Sequence, residues 1–343
     1  MTSDVVLSLA AEMRAGLRSG AVRRMVVPLR EVVEDAAGTK FLSMPAVSAD
    51  YDLFINKTAT IVPPGARGER SRSRSLAEAS TPNAPRGERS RSRSLAEAST
   101  PNAPRGRGAT VTSVVSLFSA ASGEFLGTVD GAAVTNLKCA AVTALVTDRC
   151  AAKAGKVMGI IGSGVQARQQ YRGVSAVRDI EEVRIYSRNP GNAEAFGRHV
   201  SRTATNGVRV VVCDSAENAS RGVDILATAT MSVDPLPIST ALPDHVHINC
   251  MGAHTVESRE LDQALLRTSV LIVEDLSTAI AEAGELHREA IELDALDSPA
   301  AAGLAARRTV FSSVGCAYLD LITCAHLRRA AGGASDMEGW ISA

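Results

Sequence analysis

The chain opens with an amphipathic pattern and continues with short apolar runs of strand length. The apolar positions that share one helical face are Val6, Leu9, Met13 and Leu17. This spacing predicts a helix over residues 4–19. Three strand-like runs follow at 24–30, 40–44 and 53–62. Acidic or glycine-containing turns separate these runs, so the pattern favours a small antiparallel sheet.

The next part of the chain predicts a hairpin and then a long helix. Apolar runs at 111–118 and 125–129 flank a Ser-Gly turn, which is typical of a β-hairpin. An alanine-rich segment over 132–152 predicts a helix that carries Lys138 in its first turns.

From residue 156 onward, unbroken apolar runs alternate with helical segments. The runs occupy 156–161, 183–186, 208–213, 224–230, 247–251 and 270–273. Strands that alternate with helices indicate a parallel, doubly wound sheet. A helical stretch is expected to begin at Glu282. The segment 310–326 is interpreted as a strand end followed by a helix that returns to the first domain.

A Gly-x-Gly-x-x-Ala turn directly follows the first run of this second half. Gly162 makes the tight turn, Gly164 lets the backbone approach a pyrophosphate, and Ala167 opens a helix. The amino end of that helix offers unpaired N–H groups and a positive dipole end to phosphates. The predicted dinucleotide site therefore comprises Gly162, Ser163, Gly164, Val165, Gln166 and Ala167.

The residues after the second strand indicate which dinucleotide is preferred. An NAD enzyme places an acidic residue there, against the ribose 2′-hydroxyl. Here the residues are Ser187 and Arg188. The serine exerts no repulsion on a 2′-phosphate and the arginine offers it a forked partner, so NADP(H) is favoured over NAD(H).

Ligands of such sheets lie beyond the carboxyl ends of the strands. The residues expected there are Thr228, Ala229, Thr230, Met251 and Gly252. His254 comes shortly after the same strand end and is a further candidate for a functional residue. Arg30 and Lys57 are basic residues inside otherwise apolar strand-like runs. The pattern alone leaves open whether these two lie on a solvent-facing side of the sheet.

Composition narrows the class of protein. With 343 residues, 45% of them hydrophobic, the chain is long enough for two domains with separate cores. Six cysteines are scattered without a C-x-x-C pair or metal-ligand spacing, which indicates free thiols in a reducing, cytoplasmic setting and no metal site. No apolar run approaches the length of a membrane span, so a soluble protein is expected.

A 19-residue segment occurs twice in tandem over residues 67–104. With ten Arg and four Glu, residues 67–108 carry a charge of +6, and the rest of this net-neutral chain carries −6. The segment has no periodic apolar face, so residues 63–109 are expected to be a disordered insertion. Arg-Ser dipeptides could bind phosphate backbones. Because no aromatic residue is present to stack a base, a loop expansion is favoured over a nucleic-acid partner.

A set of motifs in a fixed order resembles the ornithine cyclodeaminase and mu-crystallin family. The resemblance covers nearly the whole chain apart from the repeat. The matching segments are 27–30, 41–45, 56–57, 129–131, 162–168, 186–188, 248–249, 251–253, 260–262 and 311–315.

This resemblance implies a homodimer with a Rossmann-type nucleotide domain over residues 136–312. A smaller α+β dimerisation and substrate domain would comprise both chain ends, residues 1–135 and 313–343, and face the nucleotide domain across a cleft. It further implies that Arg30 and Lys57 bind the substrate carboxylate, and that Lys57 also protonates or orients the reacting nitrogen.

Departures from the family pattern bear on the reaction. Cyclodeaminases of the family carry an aspartate where this chain has His254, so a partner suited to a distal ammonium is missing and ornithine cyclisation is disfavoured. The family's Arg-Thr pair on the long helix is Lys138-Cys139 here, which replaces a forked carboxylate clamp by a point charge. Thr110-Val-Thr112 stands where the family has a Ser-His-Gln-like stretch.

The sequence therefore favours an NADPH-dependent reductase of a ketimine or imine of a small amino acid, similar to mu-crystallin. Its catalytic candidates are Arg30, Lys57, Lys138 and His254. One alternative is a redox-neutral ornithine cyclodeaminase that uses NAD. The other is a protein that binds NADP without catalysis.

Overall fold

The computed structural model describes residues 2–63, 110–204, 207–238, 242–252, 255–256 and 259–332. The tandem repeat and His254 lie outside the described residues, so the expectations about them stay predictions.

The first half of the described chain builds a five-stranded antiparallel sheet in the order β1-β2-β3-β4-β5. Its strands are β1 (Glu31–Glu34), β2 (Lys40–Ser48), β3 (Leu53–Val62), β4 (Thr110–Phe118) and β5 (Phe125–Asp130). In β3, Leu53, Ile55 and Lys57 point to the buried side, as the period of two along a strand requires. The predicted antiparallel sheet is confirmed.

The prediction of a strand over residues 24–30 is wrong. Residues Ala21–Arg24 form a short helix, and a single bridge between Val26 and Val47 is the only sheet pairing given for the segment that follows. Pro28 has no N–H to donate to a ladder. The first strand therefore begins after it, at Glu31.

The second sheet has eight strands in the order β12-β11-β13-β10-β9-β6-β7-β8. They are β6 (Val157–Ile161), β7 (Glu182–Tyr186), β8 (Arg209–Val212), β9 (Ile225–Thr228), β10 (His247–Cys250), β11 (Val270–Val273), β12 (Ile291–Glu292) and β13 (Thr309–Ser312). All of its pairings are parallel. The predicted fold class, a doubly wound parallel sheet beside a smaller antiparallel sheet, is confirmed.

The α-helices of the described chain pack between and around the two sheets. They are α1 (Ser3–Arg18), α2 (Ala21–Arg24), α3 (Gly131–Cys150), α4 (Val165–Val177), α5 (Pro190–Thr203), α6 (Ala216–Ser220), α7 (Gln263–Arg267), α8 (Leu276–Ala283) and α9 (Ala317–Ala330). The helix expected to begin at Glu282 is wrong: α8 ends at Ala283, because Gly284 has φ +91°. A 3-10 turn follows at Glu285–His287.

Helix α3 lies at the centre of the larger hydrophobic core. Its buried face contacts α1, α4 and α9 as well as strand β4. The chain thus returns through α9 to the first sheet, as expected. Within the residues that the structure describes, no helix combines the length and apolar character that crossing a bilayer requires.

Candidate active site

The glycine turn after β6 fits a dinucleotide. Gly162 has φ +119°, and a Cβ there would lie 2.4 Å from the Ala229 carbonyl oxygen, so only glycine is accommodated. A Cβ on Gly164 would meet no atom within 4 Å, which leaves open space above the turn. Helix α4 begins immediately afterwards without a side-chain cap, so its first N–H groups are available to phosphate oxygens.

Gln166 connects this turn to the other half of the site. Its Nε2 donates to Asn136 Oδ1 of α3 at 3.4 Å. Its Oε1 is buried without a hydrogen-bond partner in the structure. A buried acceptor of this kind is costly unless it is satisfied, so Gln166 offers an acceptor for a donor group of a bound nucleotide.

The end of β7 carries the two residues expected near the ribose. Ser163 Oγ donates to Ser187 Oγ at 2.9 Å, which fixes the glycine turn against this strand end. Arg188 is exposed, and the structure gives its guanidinium no ion pair with any described residue. Asn189 caps α5 by accepting from the Asn192 N–H. Arg188 is therefore free to meet an anionic group.

Glu260 connects the segments that follow β9 and β10, where further cofactor contacts were predicted. Its buried carboxylate accepts from the Thr230 N–H and hydroxyl, both at 2.6 Å, and from the Gly252 N–H at 2.8 Å. Thr228, in contrast, is fully buried and donates its hydroxyl to Cys250 Sγ. The sequence singled out Glu260 only within the family resemblance, because its role depends on two loops that are distant in sequence.

Lys57, Lys138 and Asp320 form a buried ion group on three different elements. Lys57 Nζ, from β3, lies 3.3 Å from Asp320 Oδ1, and Lys138 Nζ, from α3, lies 3.0 Å from the same oxygen. Lys57 also donates to Thr135 Oγ1 at 2.6 Å. All three charged residues are less than 10% exposed. The surface location that the pattern left open for Lys57 is therefore wrong.

Burial and mutual charge shift the pKa values of this group in opposite directions. For Lys57, desolvation and the neighbouring Lys138 ammonium lower the pKa, and Asp320 compensates only in part. For Lys138, burial lowers the pKa, but the closer Asp320, together with Glu274, outweighs it and the net shift is upward. The two ammonium groups keep the pKa of Asp320 below its ordinary value despite its burial. Lys57 is therefore the more acidic of the two lysines.

Arg30 lies at the entrance to this ion group. Its Nη2 donates to the Val314 and Gly315 carbonyls at 2.7 and 3.1 Å. Its Nε forms an ion pair with Glu282 Oε1 at 2.5 Å, without the alignment of a hydrogen bond. Nη1 has no hydrogen-bond partner in the described chain. One edge of the guanidinium is thus held by the protein and the other remains for a carboxylate.

The cations converge near Gly315. A Cβ built on Gly315 would lie 3.9 Å from Lys138 Nζ and 4.0 Å from Arg30 Nη2. Glu274 holds the adjacent backbone, since its carboxylate accepts from the Ser313 hydroxyl at 2.5 Å and from the Gly315 N–H at 3.3 Å. Desolvation raises the pKa of Glu282 to about 7, against the opposing effect of Arg30.

Sequence reasoning found the basic residues of this site and missed the acidic ones. Asp320, Glu274 and Glu282 were not singled out. A signal for Asp320 was available, because it is the one charged residue in the stretch 309–325. An acid inside an apolar helical stretch is rarely buried without a partner.

The larger sheet is parallel and has a glycine turn at the start of a helix, and the smaller sheet is antiparallel and carries a buried cation. These features define a two-sheet Rossmann-type α/β protein. The chain belongs to the ornithine cyclodeaminase/mu-crystallin family, whose model matches residues 96–331.

Named relatives support this assignment. The chain is 34% identical to the ketimine reductase mu-crystallin of Mus musculus over 61% of its own length and 66% of that protein, just under two thirds of the relative. It is 32% identical to a Delta(1)-pyrroline-2-carboxylate reductase of Bacillus cereus over 64% of its own length and 70% of that protein. The Thermococcus litoralis Delta(1)-pyrroline-2-carboxylate reductase, solved with NADH and L-proline, shares the fold with a TM-score of 0.73 at 24% identity, over 96% of this chain and 94% of that one.

Proposed function

We propose that the protein is an NADPH-dependent reductase of a ketimine or imine of a small amino acid. The observation that carries the proposal is that Lys57 and Lys138 share Asp320 while Lys138 and Arg30 both approach Gly315. Helix α3, which carries Lys138, is linked through Asn136 to the glycine-turn helix. Two named relatives, a ketimine reductase and a pyrroline-2-carboxylate reductase, reduce substrates of this class according to their names.

The residues divide the chemistry between holding the substrate and supplying a proton. The glycine turn and the first N–H groups of α4 hold a nicotinamide dinucleotide, which when bound supplies a hydride to the imine carbon. Arg30 binds the substrate carboxylate through its free Nη1 edge. Lys57 gives a proton from Nζ to the imine nitrogen, whose new lone pair comes from the C=N π bond. An amine results, and Lys57 is left neutral until water reprotonates it.

The absorbance of NADPH at 340 nm tests this function. Steady consumption of NADPH with a cyclic ketimine carboxylate is the expected result. Proline and ammonia formed from ornithine without net change in the cofactor would instead establish the cyclodeaminase alternative. A rise in melting temperature with NADPH but no turnover across a panel of imino acids would establish a non-catalytic binding protein.

The preference for NADPH rests on the unpaired Arg188 beside Ser187. Arg188→Ala is expected to weaken NADPH binding by about 1–3 kcal/mol, because a charge-assisted contact to the 2′-phosphate is lost. NADH binding should be unchanged. Arg198→Ala, an exposed arginine of α5 paired with Glu194, is the matched control. Titration calorimetry measures both cofactors, and an equal loss for NADPH and NADH would overturn the 2′-phosphate assignment.

The division into domains follows from the two sheets. We place the substrate and dimerisation domain at residues 1–135 and 313–343 and the nucleotide domain at 136–312. The first boundary falls inside α3, so this helix belongs to the core of both parts. A cytoplasmic location is supported by six free cysteines.

A homodimer is supported by the outer face of the five-stranded sheet. Phe54, Phe118 and Phe125 form a chain of ring contacts there, with centroids 5.9 and 5.2 Å apart. Phe41 and Val114 share this face and are 42% and 44% exposed. Exposed aromatic and apolar side chains on one face of a sheet are typical of a protein interface.

Val114→Lys is expected to shift the protein from dimer to monomer, because it places a long charged side chain on this exposed face of the sheet. Sedimentation equilibrium measures the mass. Val212→Lys is the control, because Val212 is an equally exposed valine (42%) on β8 of the parallel sheet, away from this face. A wild-type mass of one chain at micromolar concentration would contradict the dimer.

A further inference from the structure

Asp320 is the carboxylate that both buried lysines contact. Lys138 and Lys57 approach its Oδ1 at 3.0 and 3.3 Å. Asp320 is 1% exposed, whereas each lysine retains slightly more exposure. A substrate can therefore reach the lysines more readily than the carboxylate, so any influence of Asp320 on the reaction passes through Lys57 and Lys138.

The ion group is held from three directions, which fixes its geometry. Asp320 lies on α9, Lys138 on α3 and Lys57 on β3. Thr135, one turn before Lys138 on α3, accepts from Lys57 Nζ at 2.6 Å and itself donates to the Gly131 carbonyl at 2.7 Å. Lys57 is thus tied to both helices, and its Nζ has limited freedom to move.

The other titratable groups around the pair favour proton retention by Lys138. Glu274 contributes an attractive charge to Lys138 and is not among the groups that shift Lys57. The thiols of Cys139 and Cys324 also face the group, and burial raises the pKa of both. They stay neutral in the working pH range, so the anions that act on the two lysines are Asp320, which contacts both, and Glu274, which favours Lys138.

We propose that Asp320 is a positioning residue for imine reduction, whose single shared oxygen holds both ammonium groups and makes Lys57 the proton donor while Lys138 remains a fixed cation. This inference rests on the proposed function and adds a residue to it. Lys138, closer to the carboxylate, serves as a permanent positive charge beside Lys57. If Asp320 only stabilised the fold, its replacement would not change the pH dependence of catalysis.

Lysine titration tests this directly, because the chain contains only five lysines. Protein labelled with [ε-13C]lysine gives one signal for each, and Lys57 and Lys138 are assigned by Lys57→Met and Lys138→Met. The exposed Lys40 and Lys153 serve as internal references. Lys156 is not used as a reference, because Glu181 and Asp179 raise its pKa. In the wild type, the Lys57 signal should titrate at lower pH than the references and that of Lys138 at higher pH.

Two variants should move the Lys57 titration in opposite directions. Asp320→Asn removes the stabilising anion, so Lys57 should titrate at least about one pH unit lower. Lys138→Met removes the like charge, so Lys57 should titrate higher. The second variant keeps Asp320 paired with Lys57 and remains informative if the first does not fold. A Lys57 signal that titrates with the references, or that stays in place in the folded variants, would overturn the proposal.

Kinetics supply the catalytic readout. Since Lys57 acts as an acid, kcat should fall as pH rises through its titration, and this alkaline limb should move down in Asp320→Asn and be restored in Asp320→Glu. A uniform loss of kcat at every pH would overturn the positioning role. The NMR titration needs no turnover, so a wild type that reduces no imine would refute the proposed function alone.

Discussion

Replacing Lys57 by methionine is expected to lower kcat for imine reduction by a factor of about 10²–10⁴, the range that a positioned general acid contributes. Methionine keeps an unbranched side chain and removes the Nζ proton. The fold should survive, because Asp320 retains its ion pair with Lys138 at 3.0 Å. Stopped-flow or steady-state absorbance at 340 nm measures the rate, and NADPH affinity should change by less than about twofold, since no predicted phosphate contact is altered.

Lys156→Met is the matched control for this variant. Lys156 precedes the amino end of β6, whereas the glycine turn follows the carboxyl end, and it pairs with Asp179 and Glu181. Its replacement should leave kcat unchanged. A Lys57→Met enzyme that kept wild-type kcat with unaltered NADPH binding would remove Lys57 from the chemistry and transfer the acid role elsewhere.

The positions of the strands were predictable because burial and periodicity are local properties. The alternation over residues 53–62 predicted β3 with its observed bounds, Leu53–Val62. Errors arose where tertiary context outweighed the local pattern. The apolar run at 24–30 has the composition of a strand, but Pro28 prevents a regular ladder. Strand β12, only two residues long, is too short for a period to show.

Only the basic residues of the candidate site could be predicted from the sequence. Arg30 and Lys57 stood out as basic residues in apolar runs, and such residues are buried only with partners. The partner of Lys57 is Asp320, 263 positions away. No local pattern connects two such positions, because the pairing depends on the return of α9 to the first sheet. Family resemblance supplied the role of Lys57, and the structure supplied its counter-ion.

Each cation of the site has a carboxylate partner. Of the three cations, Lys57 and Lys138 are buried against Asp320, and the partly exposed Arg30 pairs with Glu282. A substrate carboxylate would bind where Arg30 and Lys138 approach Gly315. The cations together therefore complement the charge of an α-imino acid. Removing one of them should weaken both substrate binding and proton transfer to the imine nitrogen.

Glu260→Ala is expected to destabilise the protein by about 3–5 kcal/mol, because it leaves the part-buried N–H groups of Thr230 and Gly252 and the Thr230 hydroxyl without their charged acceptor. Both N–H groups now donate to the Glu260 carboxylate, at 2.6 and 2.8 Å, and Glu260 is 0% exposed. The loops after β9 and β10 should loosen together, so NADPH should bind more weakly as well. Urea denaturation measures the free energy of unfolding, and calorimetry measures NADPH binding.

Asp262→Ala is the matched control, two residues further along the same segment. Asp262 caps α7 by accepting from the Leu265 N–H at 2.7 Å. Loss of an exposed cap should cost only about 1 kcal/mol and leave NADPH binding unchanged. Glu260→Gln separates the loss of hydrogen-bond acceptors from the loss of side-chain volume. The glutamine keeps the size of the side chain and one acceptor oxygen, but its NH2 group faces the second N–H. Stability in Glu260→Ala equal to that in Asp262→Ala would show that the two strand ends hold their positions without the carboxylate.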